Sequence, residues 1–472
     1  MARTVDVSRL IDERGVNSFN VGLVIFAFFI ILLDGYDIGA AAFAAPSLIK
    51  EWHITDRSAL GTLFSSSLFG ILFGAAIFGW IGDRYGRVAA IVASCVTFGL
   101  FTLAACWATD LDTLIWLRFI AGIGIGGLPP TLIALTAEFS PAKKRSTMVI
   151  VMFCGITLGG AVPGWVSAAF VGTYGWQVLF AVGGIFPLVI GLAAALWMPE
   201  SLKYLVLKGG RQARISRIVN RIDPNLQTDA STVFTVQDEK QYEGFSPKYL
   251  FEDGLGWITP LLWVCFIVNL MGFYFLMSWM PTLLTNAHFP PSEAAVATSW
   301  FQVGGTAGGL LLSVLMDKKG LLPVSVLFVC AVPIVGAIGY LAGAGDLTLL
   351  MIVIFWAGFC VLGLQFGLNA TSGMIYPTAF RANGSGWAFA VGRFGSVAGP
   401  KIGGVLIGMQ LSLQALYLLA TVPFIVGAIA SIALARVYGA TFKGEGLGQR
   451  APTGTRAGET GPSLGRAEMA GR

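Results

Sequence analysis

The sequence predicts an all-α membrane protein: twelve transmembrane helices in two six-helix halves, with both termini cytoplasmic. Three observations predict it. Hydrophobic residues make up 56% and charged residues 12% of the 472, and mean hydropathy is +0.76. Too few charges remain to coat a soluble globule of this size, so lipid must serve as solvent. Twelve apolar runs recur, each near the ~20 residues that cross a bilayer as a helix. Finally, the lysines and arginines fall almost entirely on one side of those runs.

The runs lie at roughly 21–46, 60–81, 88–108, 113–137, 146–170, 177–198, 257–284, 293–316, 321–342, 347–373, 383–408 and 412–436. Residues 1–20 form a charged N-terminal segment. Residues 199–256 form a polar central loop that divides the chain into halves 21–198 and 257–436. Residues 437–472, rich in Gly, Arg, Thr and Pro, read as a disordered tail. With the N-terminus inside, 25 basic residues are cytoplasmic and only Lys50 and Arg57 face outward. Arg118, Arg393 and Lys401 remain, within the runs. The first run is long enough to span and shows no cleavage site, so no leader is expected to be removed. The six Cys sit in apolar runs with no metal or disulfide spacing, and read as small buried hydrophobes.

The halves repeat. Pro46-Ser47-Leu48-Ile49 ends run 1, and Pro281-Thr282-Leu283-Leu284 ends run 7. Run 2 exits through Gly79-x-x-x-Asp83-Arg84-Tyr85-Gly86-Arg87, and run 8 through the weaker copy Ser313-x-x-x-Asp317-Lys318-Lys319-Gly320. Runs 4 and 10 exit through Pro141 to Arg145 and Pro377 to Arg381. Internal repeats of this kind belong to transporters that rock around a midplane site. In the register set by the two prolines, Asp34 matches Asn269.

These features resemble the major facilitator superfamily: the run count, the central loop, Gly79-x-x-x-Asp83-Arg84-x-Gly86-Arg87, and Arg118-x-x-x-Gly122 in run 4. Within it, Asp34-Gly35-Tyr36-Asp37 followed by Ala45-Pro46-Ser47-Leu48 resembles the aromatic acid:proton symporters. Gly392-Arg393-Phe394-Gly395-x-x-x-Gly399-Pro400 and Pro199-Glu200-Ser201-Leu202 fit the same family. The resemblance implies the major facilitator fold and proton-coupled import of a benzoate- or hydroxybenzoate-type anion across a bacterial inner membrane.

The residues support that chemistry independently. Asp34 and Asp37 fall near mid-membrane, where a charged Asp costs about 2.5–3.5 kcal/mol on insertion scales. Their i, i+3 spacing places them on one helix face, where mutual repulsion favours a proton on one of them. They are the expected proton couplers and also candidate substrate contacts; the alternative is a pair fixed by Arg118 or by backbone. Arg118 is expected to sense the protonation of an Asp. Arg393, deep in run 11, is the candidate grip for a carboxylate, because guanidinium stays charged and binds carboxylates bidentately. Asn269, Tyr36, Tyr274, Gln365, Asn369 and Trp387 are candidate pocket residues, although each alone is more readily a packing residue. Phe273, Trp279, Trp356, Phe366, Gln302 and Ser396 are weaker candidates. Lys401 and the outward-facing His53 and His288 read as interfacial or solvated.

Gating is expected of Gly79, Asp83, Arg84, Gly86 and Arg87, with Glu138, Arg145, Asp317 and Arg381. Gly79 would let helices approach, and Asp83 would lie near a helix start and contact Arg145 or run 11 to latch the cytoplasmic side. No nucleotide-binding loop is present. No enzyme chemistry, cofactor, metal or nucleic-acid partner is indicated. The expected partners are a small organic anion, protons and the bilayer, with a functional monomer. The alternative functions are import of a non-aromatic organic acid or, behind it, an efflux antiporter. A sugar porter would carry a paired-Gln element in run 7 where Val268-Asn269-Leu270 stands.

Overall fold

The computed structural model describes residues 4–141, 143–209, 212–223, 226, 228, 232–235, 247–252, 254–376 and 381–441; the side chains of 4, 146, 247, 313, 314, 317, 318, 381 and 382 fall outside that description. Ten helices among the described residues are long and apolar enough to cross a membrane. They are α1 (Ser18–Glu51), α2 (Arg57–Tyr85), α3 (Arg87–Trp107), α4 (Leu111–Glu138), α5 (Thr147–Tyr174), α6 (Gln177–Trp197), α7 (Ile258–Asn286), α9 (Leu322–Ala344), α10 (Leu347–Ile375) and α12 (Leu413–Thr441). Two further long helices, α8 (Pro291–Lys319) and α11 (Arg381–Gly408), pack among them but are more polar.

Short polar side chains cap several helix starts. Asn17 and Asn20 form a reciprocal capping box at the start of α1. Asp56, Asp110 and Asp346 accept from first-turn amides of α2, α4 and α10. Helix α3 is capped from outside itself. Its N-cap Gly86 (φ +111°) has no side chain, and the Glu200 carboxylate accepts instead from the Arg87 amide at 2.8 Å and the Val88 amide at 3.3 Å. Gly86 is required twice, since a Cβ there would lie 2.3 Å from Glu200 Oε2 and the φ is left-handed.

Side chains such as Phe29, Phe73, Leu100, Leu192, Val329 and Ile429 form an exposed apolar girdle. Exposed Trp80, Trp197 and Trp257 mark one end and Trp107 and Trp116 the other, as amphipathic rings do at membrane interfaces.

The packing is a tandem copy. In the first half α1 packs on α5, α2 on α4 and α3 on α6; in the second, α7 on α11, α8 on α10 and α9 on α12. Small residues set the closest approaches. A Cβ on Gly159 would lie 2.0 Å from the Leu32 carbonyl oxygen, and one on Gly395 would lie 2.0 Å from that of Ile267. The offset between Leu32 and Ile267 is the one between Asp34 and Asn269. It also links His53 and His288, exposed residues just past α1 and α7 that both take positive φ, +50° and +69°.

The central loop is more ordered than its composition suggests. Helices Leu202–Lys208 and Gln212–Ile222 form there, and Val233–Thr235 pairs in parallel with Thr4–Asp6 of the N-terminal segment. Arg14 binds the buried Asp223, and Asn17 donates to the Ile222 carbonyl. The signal was present: Leu10, Ile11, Ile215, Ile218, Val219 and Ile222 are buried stripes of amphipathic helices. The expected tail begins late, because α12 runs to Thr441; residues 442–472 lie outside the described ones.

These segments gather at one end of the bundle, here the terminal end; the α1–α2 and α7–α8 turns define the far end. The halves touch along α1–α7, α2–α11 and α5–α8. Hydrogen bonds across the seam run from mid-helix to the far end: Ser65 to the Val397 carbonyl at 2.8 Å, Thr306 to Thr157 at 2.7 Å, Ser299 to the Ala161 carbonyl at 3.0 Å, and Lys401 to Thr62. Phe64 meets Trp279 edge-on there. Toward the terminal end, a Cβ on Gly79 or Gly386 would meet nothing within 4 Å. Among the described residues the halves are bonded from mid-helix to the far end and parted at the terminal end.

Candidate functional site

The two aspartates of α1 have different partners. Asp37 is fully buried and takes a bidentate grip from Arg118, at 2.6 Å to each carboxylate oxygen. Arg118 also reaches the Asp37 carbonyl at 3.2 Å, Thr102 donates to Asp37 at 3.1 Å, and the Phe180 ring lies 5.7 Å from the guanidinium carbon. This pair is closed within the first half. Asp34, one turn earlier, turns toward α7 and α11. It is 2% exposed, its Oδ1 has no partner, and the charges acting on it are first Arg393, then Asp37. The expectation that both carboxylates share one face is therefore corrected. Three residues along a helix is a rotation of about 300°, enough for Asp37 to face α3 and α4 while Asp34 faces the other half.

Arg393 is half-buried on α11. Its guanidinium lies over the Phe389 ring at 4.8 Å and acts on the Tyr274 hydroxyl as well as on Asp34. The structure thus brings together Asp34, Tyr274 and Arg393 from three helices of both halves. On the adjacent face of α7, Asn269 Nδ2 donates to Gln365 at 3.1 Å, and Gln365 donates to Asn369 at 3.2 Å. The row runs from fully buried Asn269 to exposed Asn369. Phe273 stacks on Phe301 with ring centres 6.2 Å apart and an interplanar angle of 11°. Gln302 donates to the Met277 sulfur at 3.3 Å, beside Gly160 of α5.

Several expected residues stand elsewhere. Tyr36 is not a pocket residue: its hydroxyl donates to the Leu179 carbonyl at 3.0 Å, and its ring packs on Gly183 of α6. Trp387 stacks on Trp263, ring centres 6.4 Å apart, toward the terminal end from Arg393. Trp279 is a far-end seam residue donating to the Pro400 carbonyl. Trp356 is half-exposed and meets Phe355 and Phe359 of its own helix. Thr102, Thr157, Thr306, Phe180 and Phe389 were missed; nothing in one sequence separates a buried threonine beside a charge from any other.

The expected gating contacts also differ. Asp83 pairs with Arg87 at 2.8 Å, one turn along, rather than with Arg145 or α11. Arg84 lies over Trp80 and Tyr85, and Arg145 is exposed. Among the described residues Asp83 has no partner from the other half, and a Cβ on Gly79 would meet nothing within 4 Å. Glu138 accepts from Ser201, whose oxygen in turn caps the Leu202–Lys208 helix. The side chains of Asp317 and Arg381 lie outside the described residues.

The Major Facilitator Superfamily model matches residues 27–369 and 262–457. The 4-hydroxybenzoate transporter PcaK of Pseudomonas putida is 34% identical, over 87% of this chain and 91% of that protein. A gallate transporter of the same organism is 32% identical over 91% and 95%. The benzoate transport protein of Acinetobacter baylyi is 31% identical over 91% and 92%. Among solved structures, the Escherichia coli xylose transporter XylE in a partially occluded inward-open conformation aligns with TM-score 0.66 at 18% identity, over 91% of this chain and 100% of that one. An occupied, inward-facing bacterial homologue of Spinster aligns with TM-score 0.70 at 16% identity, over 90% and 99%. These relatives are membrane transporters and not enzymes. The chain belongs to the major facilitator superfamily, in its group of aromatic acid transporters.

Proposed function

We propose that this protein is a proton-coupled symporter that imports a small aromatic carboxylate across a bacterial inner membrane by alternating access. The reading includes twelve membrane crossings, α8 and α11 among them, with the terminal end in the cytoplasm and the parted side therefore facing inward. The 25-to-2 distribution of basic residues supports that orientation. The observation that carries the mechanism is the separation of the two charge pairs: Asp37 is occupied by Arg118, while Asp34 keeps an unpartnered oxygen near Arg393.

Arg393 has two competing anions, Asp34 and an incoming carboxylate. A proton on Asp34 removes the first competitor and releases the guanidinium for the second. Proton binding and anion binding therefore reinforce each other, and linkage makes that reciprocal. The doubly loaded site carries one arginine and one carboxylate, so it occludes with its charge balanced. On the cytoplasmic side the proton and the anion leave together, and Asp34 returns to Arg393. Asp37–Arg118 braces α1 against α4 throughout. The Asp83, Arg84, Arg87 and Arg145 group belongs to the side that must close when the far end opens, with Asp317 and Arg381 its proposed counterparts in the second half.

The test is uptake of labelled 4-hydroxybenzoate and benzoate into proteoliposomes carrying an inward proton gradient. Uptake that a protonophore abolishes, and that alkalinises the medium when substrate is added, supports the reading. Uptake indifferent to the protonophore removes proton coupling. Unchanged uptake by Arg393→Gln removes the assigned grip.

A further inference from the structure

We infer that Asn269 and Gln302 determine specificity, selecting aromatic carboxylates whose ring carries a hydroxyl. The inference rests on the aromatic-acid reading above and adds which member of the class the site is built for.

Asn269 is 0% exposed and Gln302 3%. The amide nitrogen of each is used, by Gln365 and by the Met277 sulfur, while Asn269 Oδ1 and Gln302 Oε1 have no partner. At Gln302 the chemistry fixes the orientation, since only an NH2 group donates to a thioether. Buried carbonyl oxygens without donors are rare in folded proteins, and these two stand open to one. Both oxygens accept only. Their natural complement is an O–H, which the side chains around them do not supply.

Their placement ties them to the transport site. Asn269 occupies in the second half the repeat position that Asp34 occupies in the first, and the shared offset of Leu32 and Ile267 puts the two at matching depth. Asn269, Phe273 and Met277 recur every four residues along one face of α7. The Phe273 ring, stacked on Phe301, therefore lies between the Asn269 amide and the Gln302 amide that meets Met277. Tyr274 begins the next face, which looks to Arg393. A ring held at its carboxylate by Arg393 and laid along Phe273 turns its substituents toward carbonyl oxygens. A phenolic hydroxyl is satisfied there and satisfies them. A bare ring edge leaves them orphaned. A second carboxylate, itself only an acceptor, is repelled.

The discrimination follows an asymmetry of hydrogen-bonding sites: one built to bond a hydroxyl strongly rejects the analogue that lacks it, because its own buried groups then go unpaired. The order expected is hydroxylated benzoate, then benzoate, then a benzene dicarboxylate, with at least about a tenfold gap at the first step.

The experiment is equilibrium binding of 4-hydroxybenzoate, 3,4-dihydroxybenzoate, benzoate and phthalate to the purified full-length protein. It is repeated for Asn269→Leu and Gln302→Met, which keep the approximate shape and remove the amide with its acceptor oxygen. The expected result is that at least one variant brings the hydroxylated-to-benzoate ratio within about threefold, by weakening the hydroxylated ligands while benzoate, no longer facing an orphaned oxygen, binds as well or better. Retained benzoate binding also reports that the variant is folded. Equal binding of benzoate and its hydroxylated forms by the unsubstituted protein overturns this inference alone. So does a ratio that survives in both variants. Failure to bind any of the four overturns the aromatic-acid reading with it.

Discussion

Asp34 and Asp37 stand three residues apart on one helix, and each has its own arginine. The two carboxylates should therefore respond differently to substitution. Asp34→Asn removes the titrating group but leaves a neutral side chain beside Arg393. It is expected to keep substrate counterflow, to lose accumulation against a gradient, and to lose the dependence of uptake on external pH. Accumulation at the unsubstituted level would remove Asp34 from the coupling path. Asp37→Asn instead leaves Arg118 charged and buried, a loss of about 3–5 kcal/mol when one member of a buried pair is removed. It is expected to lower the thermal unfolding midpoint in detergent, and the double change Asp37→Leu with Arg118→Met to restore most of it. If the double variant is no more stable than Asp37→Asn, the pair is not the brace described. Legibility was uneven here. The types and depths of Asp34, Asp37, Arg118 and Arg393 were plain in the sequence, because charge within an apolar run is conspicuous. Which aspartate belonged to which arginine was not, since that depends on helix neighbours.

Helix α3 shows how one element is fixed by another. Its first residues offer unpaired amides, its own cap is a glycine, and Glu200 supplies the missing acceptor from the segment after α6. Glu200→Ala is expected to destabilise by about 0.5–2 kcal/mol, the range for loss of a helix cap, measured as a fall in unfolding midpoint with substrate affinity intact. Glu200→Gln, which keeps an acceptor, should fall between. Equal midpoints for Glu200→Ala and the unsubstituted protein would show that the cap contributes nothing. The glycines of α5 and α11 are a second case. The four-residue spacing of Gly155 with Gly159 and Gly395 with Gly399 announced close packing, and both pairs do meet backbone of α1 and α7. Gly79 was also expected to admit a helix, and a Cβ there would meet nothing within 4 Å. Spacing shows that a helix is able to be approached, and only the fold shows whether a neighbour is there.

The molecule as a whole is joined along one half of its seam and parted along the other. That arrangement makes a directional prediction. Once the six native cysteines are replaced, Thr62→Cys with Lys401→Cys should cross-link readily, because the native side chains already bond across the halves. The link should stop transport by holding the far end shut. Gly79→Cys should be labelled by a membrane-impermeant thiol reagent from the cytoplasmic face alone. Labelling from outside would reverse the proposed orientation. A transporting Thr62–Lys401 cross-link would show that the far-end seam need not open.

What the sequence determined by itself was the solvent, the repeat and the inventory of membrane-depth charges. Each is a local or periodic property: run length, spacing of prolines and glycines, one ionisable residue among apolar ones. The residue types of the site were legible for the same reason. What tertiary structure decided was pairing. It gave Asp37 to Arg118 and left Asp34 to Arg393, turned Tyr36 onto α6, set Glu200 at the start of α3, and left two buried amide oxygens open near the centre. A helix presents a different side chain every 100°, and with no water in the bilayer core a polar side chain gains most from a partner within the protein. Which partner it finds depends on which helices lie beside it, and that follows from how two copies of one six-helix unit pack together.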